Sequence, residues 1–137
     1  MRPGGSGEAG SGLVVGVERV DEFVVEERLL TDVGGTIGAR VLSTPGMIAM
    51  MERCAAMLVF DSVAEEGKAT VGFEVCVKHV AAAAEGSRCQ VRSMLREVVD
   101  GRKLRFDVEV REDERTIGVG THERRVIDIG RLATGER

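Results

Sequence analysis

Aromatic side chains are nearly missing from this chain, which has four Phe and neither Trp nor Tyr in 137 residues. Proteins that hold single-stranded nucleic acid by base stacking need such rings. A basic surplus is missing too: the formal charge is −4, so there is no positive footprint for nucleic acid. No apolar run reaches the length that spans a bilayer, and no membrane association is expected. The first twelve residues, MRPGGSGEAGSG, lack the apolar stretch of a secretory signal. The three cysteines, Cys54, Cys76 and Cys89, are an odd number without C-x-x-C spacing. That argues against a disulfide framework or a zinc site and for a reducing, cytoplasmic setting. Each cysteine is read as a small buried hydrophobe. A P-loop, a dinucleotide fingerprint, metal-ligand spacing and G-x-S-x-G are all absent, which excludes a serine hydrolase of the elbow type. No metal or resident cofactor is implied.

What remains is 43% hydrophobic and 31% charged, the balance of one globular domain with a core of Val, Leu, Ile, Met and Ala. Residues 1–12 read as a flexible Gly/Ser-rich tail, 13–130 as the domain and 131–137 as a C-terminal tail. Two short strands are expected over Leu13 to Val17 and Glu22 to Leu29. Thr31 to Ala39 holds Gly34, Gly35 and Gly38 and reads as a mobile loop. Ser43-Thr44-Pro45-Gly46 signals a helix entry, and Met47 to Val63 is apolar but for Glu52, Arg53 and Asp61. Such a helix belongs inside a structure. Strands follow at Val71 to Val80, Arg88 to Val99, Lys103 to Arg111 and Thr116 to Ile129, with Asp100-Gly101 as a hairpin turn. One buried helix followed by consecutive antiparallel strands is an α+β pattern. The simplest solution is an antiparallel sheet wrapped around one long central helix.

Three residues in this layout invite chemistry. Glu52 sits between apolar neighbours, where an ionised carboxylate is costly unless paired; alternatively it marks a thin solvent stripe with Arg53. Period-two alternation places His79 with Val71, Phe73, Val75 and Val77 on the face that looks at the helix. A lone inward His is ordinarily a satisfied core residue, but beside a helix carboxylate it becomes an acid–base candidate. Thr44 is either a plain cap or a site residue. In a continuous helix it would stand about 12 Å from Glu52 along the axis. A shared site therefore requires Pro45-Gly46 to turn the chain back, with Thr44 extended before the proline. His122 lies in a polar strand segment and is either exposed or a further site residue; Glu123 beside it points the other way.

At these residues the chain resembles the fluoroacetyl-CoA thioesterase family of hot-dog proteins, from about Val17 to Ile129. Three segments carry the likeness: Thr44-Pro45-Gly46-Met47-Ile48-Ala49-Met50-Met51-Glu52, then Gly72-Phe73-Glu74-Val75-Cys76-Val77-Lys78-His79, then Gly120-Thr121-His122-Glu123-Arg124. The resemblance implies a hot-dog fold and cleavage of acyl-CoA by a Thr, Glu and His group, falling here on Thr44, Glu52 and His79. Gly72 falls where the family has a glycine beside the acyl group, and Arg124 where it has an arginine lining the site. A homodimer with sheets joined edge to edge is implied as well. Family members selective for the fluorinated substrate carry a Phe-containing lid before the Thr. Here Leu30 to Leu42 has three glycines and no Phe, so the expectation is a short-chain acyl-CoA. Two other readings stay open: an acyl-CoA-binding hot-dog dimer acting as sensor or carrier, and hydratase or dehydratase chemistry.

Overall fold

The computed structural model describes residues 13–133; the tail expected over residues 1–12 and most of that expected over 131–137 lie outside them. Strand β1 is Glu18–Val24, followed by a 3-10 turn at Glu27–Leu29. A two-stranded ribbon joins β2 (Leu30–Thr31) to β3 (Val41–Leu42), and helix α1 runs over Thr44–Ala64. Strands β4 (Lys68–His79), β5 (Arg88–Val99), β6 (Lys103–Glu112) and β7 (Arg115–Asp128) follow, with a short helix α2 at Ile129–Ala133. The large sheet is antiparallel in the order β1-β5-β6-β7-β4, so β1 and β4 are its edges. This is the α+β arrangement expected, with one long helix against one antiparallel sheet.

The first strand departs from expectation. Leu13 to Val17 is not a strand, because Gly16 takes φ +102° and turns the chain while its N–H bonds Leu95 O. Pairing then starts at Glu18, opposite Met94, and ends at Val24, opposite Arg88. The hairpin at Asp100-Gly101 has φ of 56° and 66°, the left-handed pair that a two-residue turn between twisted strands requires.

Helix α1 begins earlier than its apolar run suggests. Ser43 is the N-cap, extended at φ −78° and ψ 154°, and its Oγ accepts the Gly46 N–H at 2.9 Å. Thr44 is thus the first helical residue, and Pro45 sits in the first turn, where its missing N–H costs nothing. Gly46 does not break the helix. A Cβ there would stand 3.0 Å from Leu29 O, so the glycine lets the first turn press on the chain leaving the 3-10 turn. The Ser43 N–H bonds Leu29 O at 2.7 Å and the Leu42 N–H bonds Ala83 O, fixing the helix start to the body of the domain.

The helix buries Met47, Met50, Met51, Cys54, Ala55, Val59 and Val63. They meet inward residues of the sheet, among them Val91, Leu95, Leu104, Phe106, Val108, Val110 and Ile117. Each such fully buried side chain contributes roughly 1.5–3 kcal/mol. The cysteines divide: Cys54 and Cys89 are buried, whereas Cys76 is exposed on edge strand β4, against the expectation for it. Phe106 is the largest side chain wholly inside. Phe106→Ala is expected to cost about 3–5 kcal/mol, read as a shift in the midpoint of a urea melt with unchanged slope.

Candidate active site

Strand β4 carries a bulge that decides which side chains face the helix. Register slips between Gly72 and Glu74, leaving Phe73 as the extra residue. Regular alternation would have put Val71, Phe73, Val75, Val77 and His79 on one face. Because of the bulge, Val71 and Phe73 lie on the outer face, exposed, with Arg125 stacked 3.6 Å over the Phe73 ring. Gly72, Val75, Val77 and His79 are the inward set, opposite Arg124, His122, Gly120 and Gly118 of β7.

His79 meets the first residue of α1. Thr44 Oγ1 and His79 Nδ1 share a hydrogen bond of 2.8 Å. The Nε2 atom is buried and has no hydrogen-bond partner among the described residues. Burial pushes the imidazole below its ordinary pKa, which favours the neutral ring. Beside it, Val41, Leu42, His79, Val80, Ala81 and Ala82 line an open cavity of about 340 Å³.

Glu52 is held elsewhere. Its Oε2 lies 3.7 Å from Arg124 Nη1 and 4.0 Å from His122 Nε2. Gly72 lies directly beneath: a Cβ there would stand 2.3 Å from Glu52 Oε2 and 3.6 Å from Arg124 Nη1. The glycine is therefore the space the carboxylate occupies. Arg124 is 8% exposed and donates from Nε to Thr70 Oγ1 and from Nη2 to Thr70 O. Desolvation lowers its pKa while the Glu52 charge opposes that. His122, read from sequence as exposed or a further site residue, is 2% exposed and stacks on Phe106.

The five residues expected at the site thus form two groups. Thr44 and His79 meet at one end of β4; Glu52, Gly72 and Arg124 meet at the other, with His122 added. The chain does not turn back at Pro45-Gly46, because Ser43, not Thr44, is the extended cap and α1 is continuous from Thr44. Thr44 and Glu52 consequently remain about 12 Å apart along the helix axis. His122 was legible as a motif residue; its burial follows from register, which puts it on the inward face between Val75 and Phe106. Among the described residues no group of His, Cys, Asp and Glu is arranged to hold a metal ion, and no helix is long and apolar enough to cross a membrane.

The model of the fluoroacetyl-CoA-specific thioesterase family matches residues 24–129. The chain belongs to that family. A fluoroacetyl-CoA thioesterase of Streptantibioticus cattleyicolor is 36% identical over 89 residues, spanning 65% of this chain and 63% of that relative's length. Among solved structures, a threonine-to-serine variant of the fluoroacetyl-CoA thioesterase in complex with acetyl-CoA is 27% identical with a TM-score of 0.81, over 90% of this chain and 96% of that one. A hot-dog-like protein from Thermanaerovibrio acidaminovorans, 20% identical with a TM-score of 0.79 over 88% of each chain, shares the fold. The expected hot-dog architecture is therefore the observed one.

The histidines generate a direct test. Burial lowers the pKa of both His79 and His122, and these are the only two in the chain. An NMR titration should place both midpoints below the ordinary value of about 6.5. Unfolded imidazoles then bind protons first as pH falls. The two groups therefore cost stability progressively from about pH 6.5 downward through the native midpoints. A His79 midpoint above 6.5 would contradict the burial described.

Proposed function

We propose that this protein is an acyl-CoA thioesterase that hydrolyses a short-chain acyl-CoA to the free acid and CoA, and that it works as a homodimer whose two protomers complete each other's sites. One observation carries the reading: both halves of the reactive group face inward from opposite ends of the same edge strand. Strand β4 is twelve residues long and, among the described residues, unpaired along one side. Such an edge is a ready template for a second strand. If two copies pair antiparallel through β4 about a two-fold axis near its middle, the His79 end of one strand lies beside the Gly72 end of the other. Thr44 and His79 of one protomer then face Glu52, Gly72 and Arg124 of its partner. That arrangement reunites Thr44 and Glu52 without bending the helix.

In the reaction, neutral His79 takes a proton from water as the oxygen attacks the thioester carbonyl, and the Thr44 hydroxyl holds the ring at Nδ1. As the C–S bond breaks, the same imidazole returns the proton to the departing thiolate. Glu52 orients the water or imidazole, or attacks the carbonyl itself to give a mixed anhydride that water then opens. Arg124 offers positive charge where negative charge develops on oxygen. Gly72, bare of a side chain, leaves the space in which the Glu52 carboxylate sits. The family's name and the acetyl-CoA complex of a relative support the substrate class.

The acyl group is set by the cavity at His79, which the loop 32–40 precedes in the chain. That loop has Gly34, Gly35 and Gly38 at positive φ and leaves Val33 and Ile37 exposed. It has no ring to seal over a small acyl group. A thiol-release assay across short acyl-CoAs tests the reading in one experiment. The wild type should turn over acetyl- and fluoroacetyl-CoA with kcat/KM values within about tenfold of one another. His79→Ala should lose at least about 100-fold on the best substrate while remaining folded. Near wild-type turnover by that variant removes His79 from the mechanism. The absence of thiol release from every substrate would leave acyl-CoA binding without catalysis.

A further inference from the structure

Arg124 stops short of Glu52. A charge-assisted N–H···O bond closes to about 2.7–2.9 Å, yet Arg124 Nη1 stands 3.7 Å from Glu52 Oε2. The guanidinium is restrained on its other sides. Thr70 takes Nε at 2.8 Å and Nη2 at 3.0 Å, and His122 Nε2 takes Nη1 at 3.2 Å. The last contact fixes the chemistry of the ring. A guanidinium only donates, so Nε2 must be an acceptor with no hydrogen. The other nitrogen, Nδ1, lies 2.8 Å from Glu74 O beside the β4 bulge. A carbonyl only accepts, so Nδ1 carries the proton.

The ring is held in that pose from every side. Its side chain is wholly buried, and it stacks on Phe106 with centroids 6.1 Å apart and planes 29° from parallel. Protonation at Nε2 would set one N–H against another and place a second cation beside Arg124. Burial and the arginine charge both press the ring toward neutrality, against the carbonyl of Glu74 and the more distant Glu52 charge.

We propose that His122 is a positioning residue, an imidazole in the Nδ1–H tautomer that holds Arg124 off Glu52 and so leaves the carboxylate unlocked for catalysis. The proposal rests on the reading of Glu52 as part of the reactive group. Without the acceptor at Nε2, the Nη1 group is released and closes onto Glu52. The carboxylate is then pinned over Gly72 in a tight ion pair. Substrate still binds, but turnover fails, so the loss falls on kcat more than on KM.

Two conservative replacements separate positioning from packing. In His122→Asn the amide N–H can serve Glu74 O, but nothing accepts from Arg124. In His122→Gln the amide oxygen reaches the Nε2 position and restores the acceptor. On the best acyl-CoA, His122→Asn should lose about 100-fold in kcat with KM little changed. His122→Gln should stay within about tenfold of the wild type. A crystal structure of His122→Asn should show the Nη1 to Oε2 separation closed below about 3 Å. Nitrogen-15 NMR of the wild type should show His122 with its proton on Nδ1 throughout about pH 5.5 to 8. An Nε2–H tautomer, a His122 that titrates within that range, an unchanged Arg124–Glu52 separation in the Asn variant, or equal losses in both variants would overturn the proposal. The NMR and crystallographic results do not depend on turnover. A wild type inactive on all acyl-CoAs would therefore sink the functional reading separately.

Discussion

A continuous α-helix sets how far apart its residues stand, and that constraint shapes the whole site. Helix α1 is capped by Ser43 and unbroken from Thr44 to Ala64, so its first residue and Glu52, in its third turn, are separated by about 12 Å of axial rise. Neither Pro45 nor Gly46 relaxes this, since both are accommodated inside the first turn. The sheet repeats the separation. Strand β4 places His79 under the start of the helix and Gly72 under Glu52, with Val75 and Val77 of the apolar layer between. On the proposed mechanism, a single chain would present His79 without Glu52 at one end and Glu52 without His79 at the other. The proposed two-fold partner along the open side of β4 would reconcile them.

The acidic end shows how an apolar layer accommodates charge. Burying a carboxylate next to a helix core is costly unless it is paired and partly solvated. Glu52 meets both conditions: its side chain is 39% exposed and Arg124 faces it. The arginine in turn is anchored on Thr70, and the imidazole of His122 is anchored on Glu74 O. The bulge at Phe73 underlies the arrangement. It turns Gly72 inward to make room for the carboxylate and sends Phe73 outward onto Arg125. A network satisfied at each buried atom has few alternative arrangements.

Much of this was legible in the sequence, through patterns with a direct physical cause. The apolar run of α1, the strands from β4 onward and the Asp100-Gly101 turn follow from periodicity and from left-handed turn geometry. Gly72 and Arg124, which the resemblance gave as site residues, lie beside Glu52. The failures are just as physical. Alternation alone cannot foresee a bulge, so Val71 and Phe73 were assigned the wrong face, although His79 kept the right one. Whether Pro45-Gly46 turned the chain back was open in the sequence, which does not reveal that the glycine is there for close contact with Leu29 O. The opening strand was displaced by Gly16, whose positive φ ends any extended run. His122 looked polar because its neighbours are; only register shows it buried between two strands.

The shared site is the central claim, and subunit complementation tests it most directly. Glu52→Gln and His79→Ala homodimers, each inactive alone, are mixed under conditions that exchange subunits. If each site takes Glu52 from one protomer and His79 from the other, every mixed dimer has one intact and one doubly altered site. Random exchange makes half of all dimers mixed, so thiol release should return to about a quarter of the wild-type rate. If both residues act within one chain, each site in the mixed dimer keeps one defect. The mixture would then stay as inactive as its parents, and the account would be wrong.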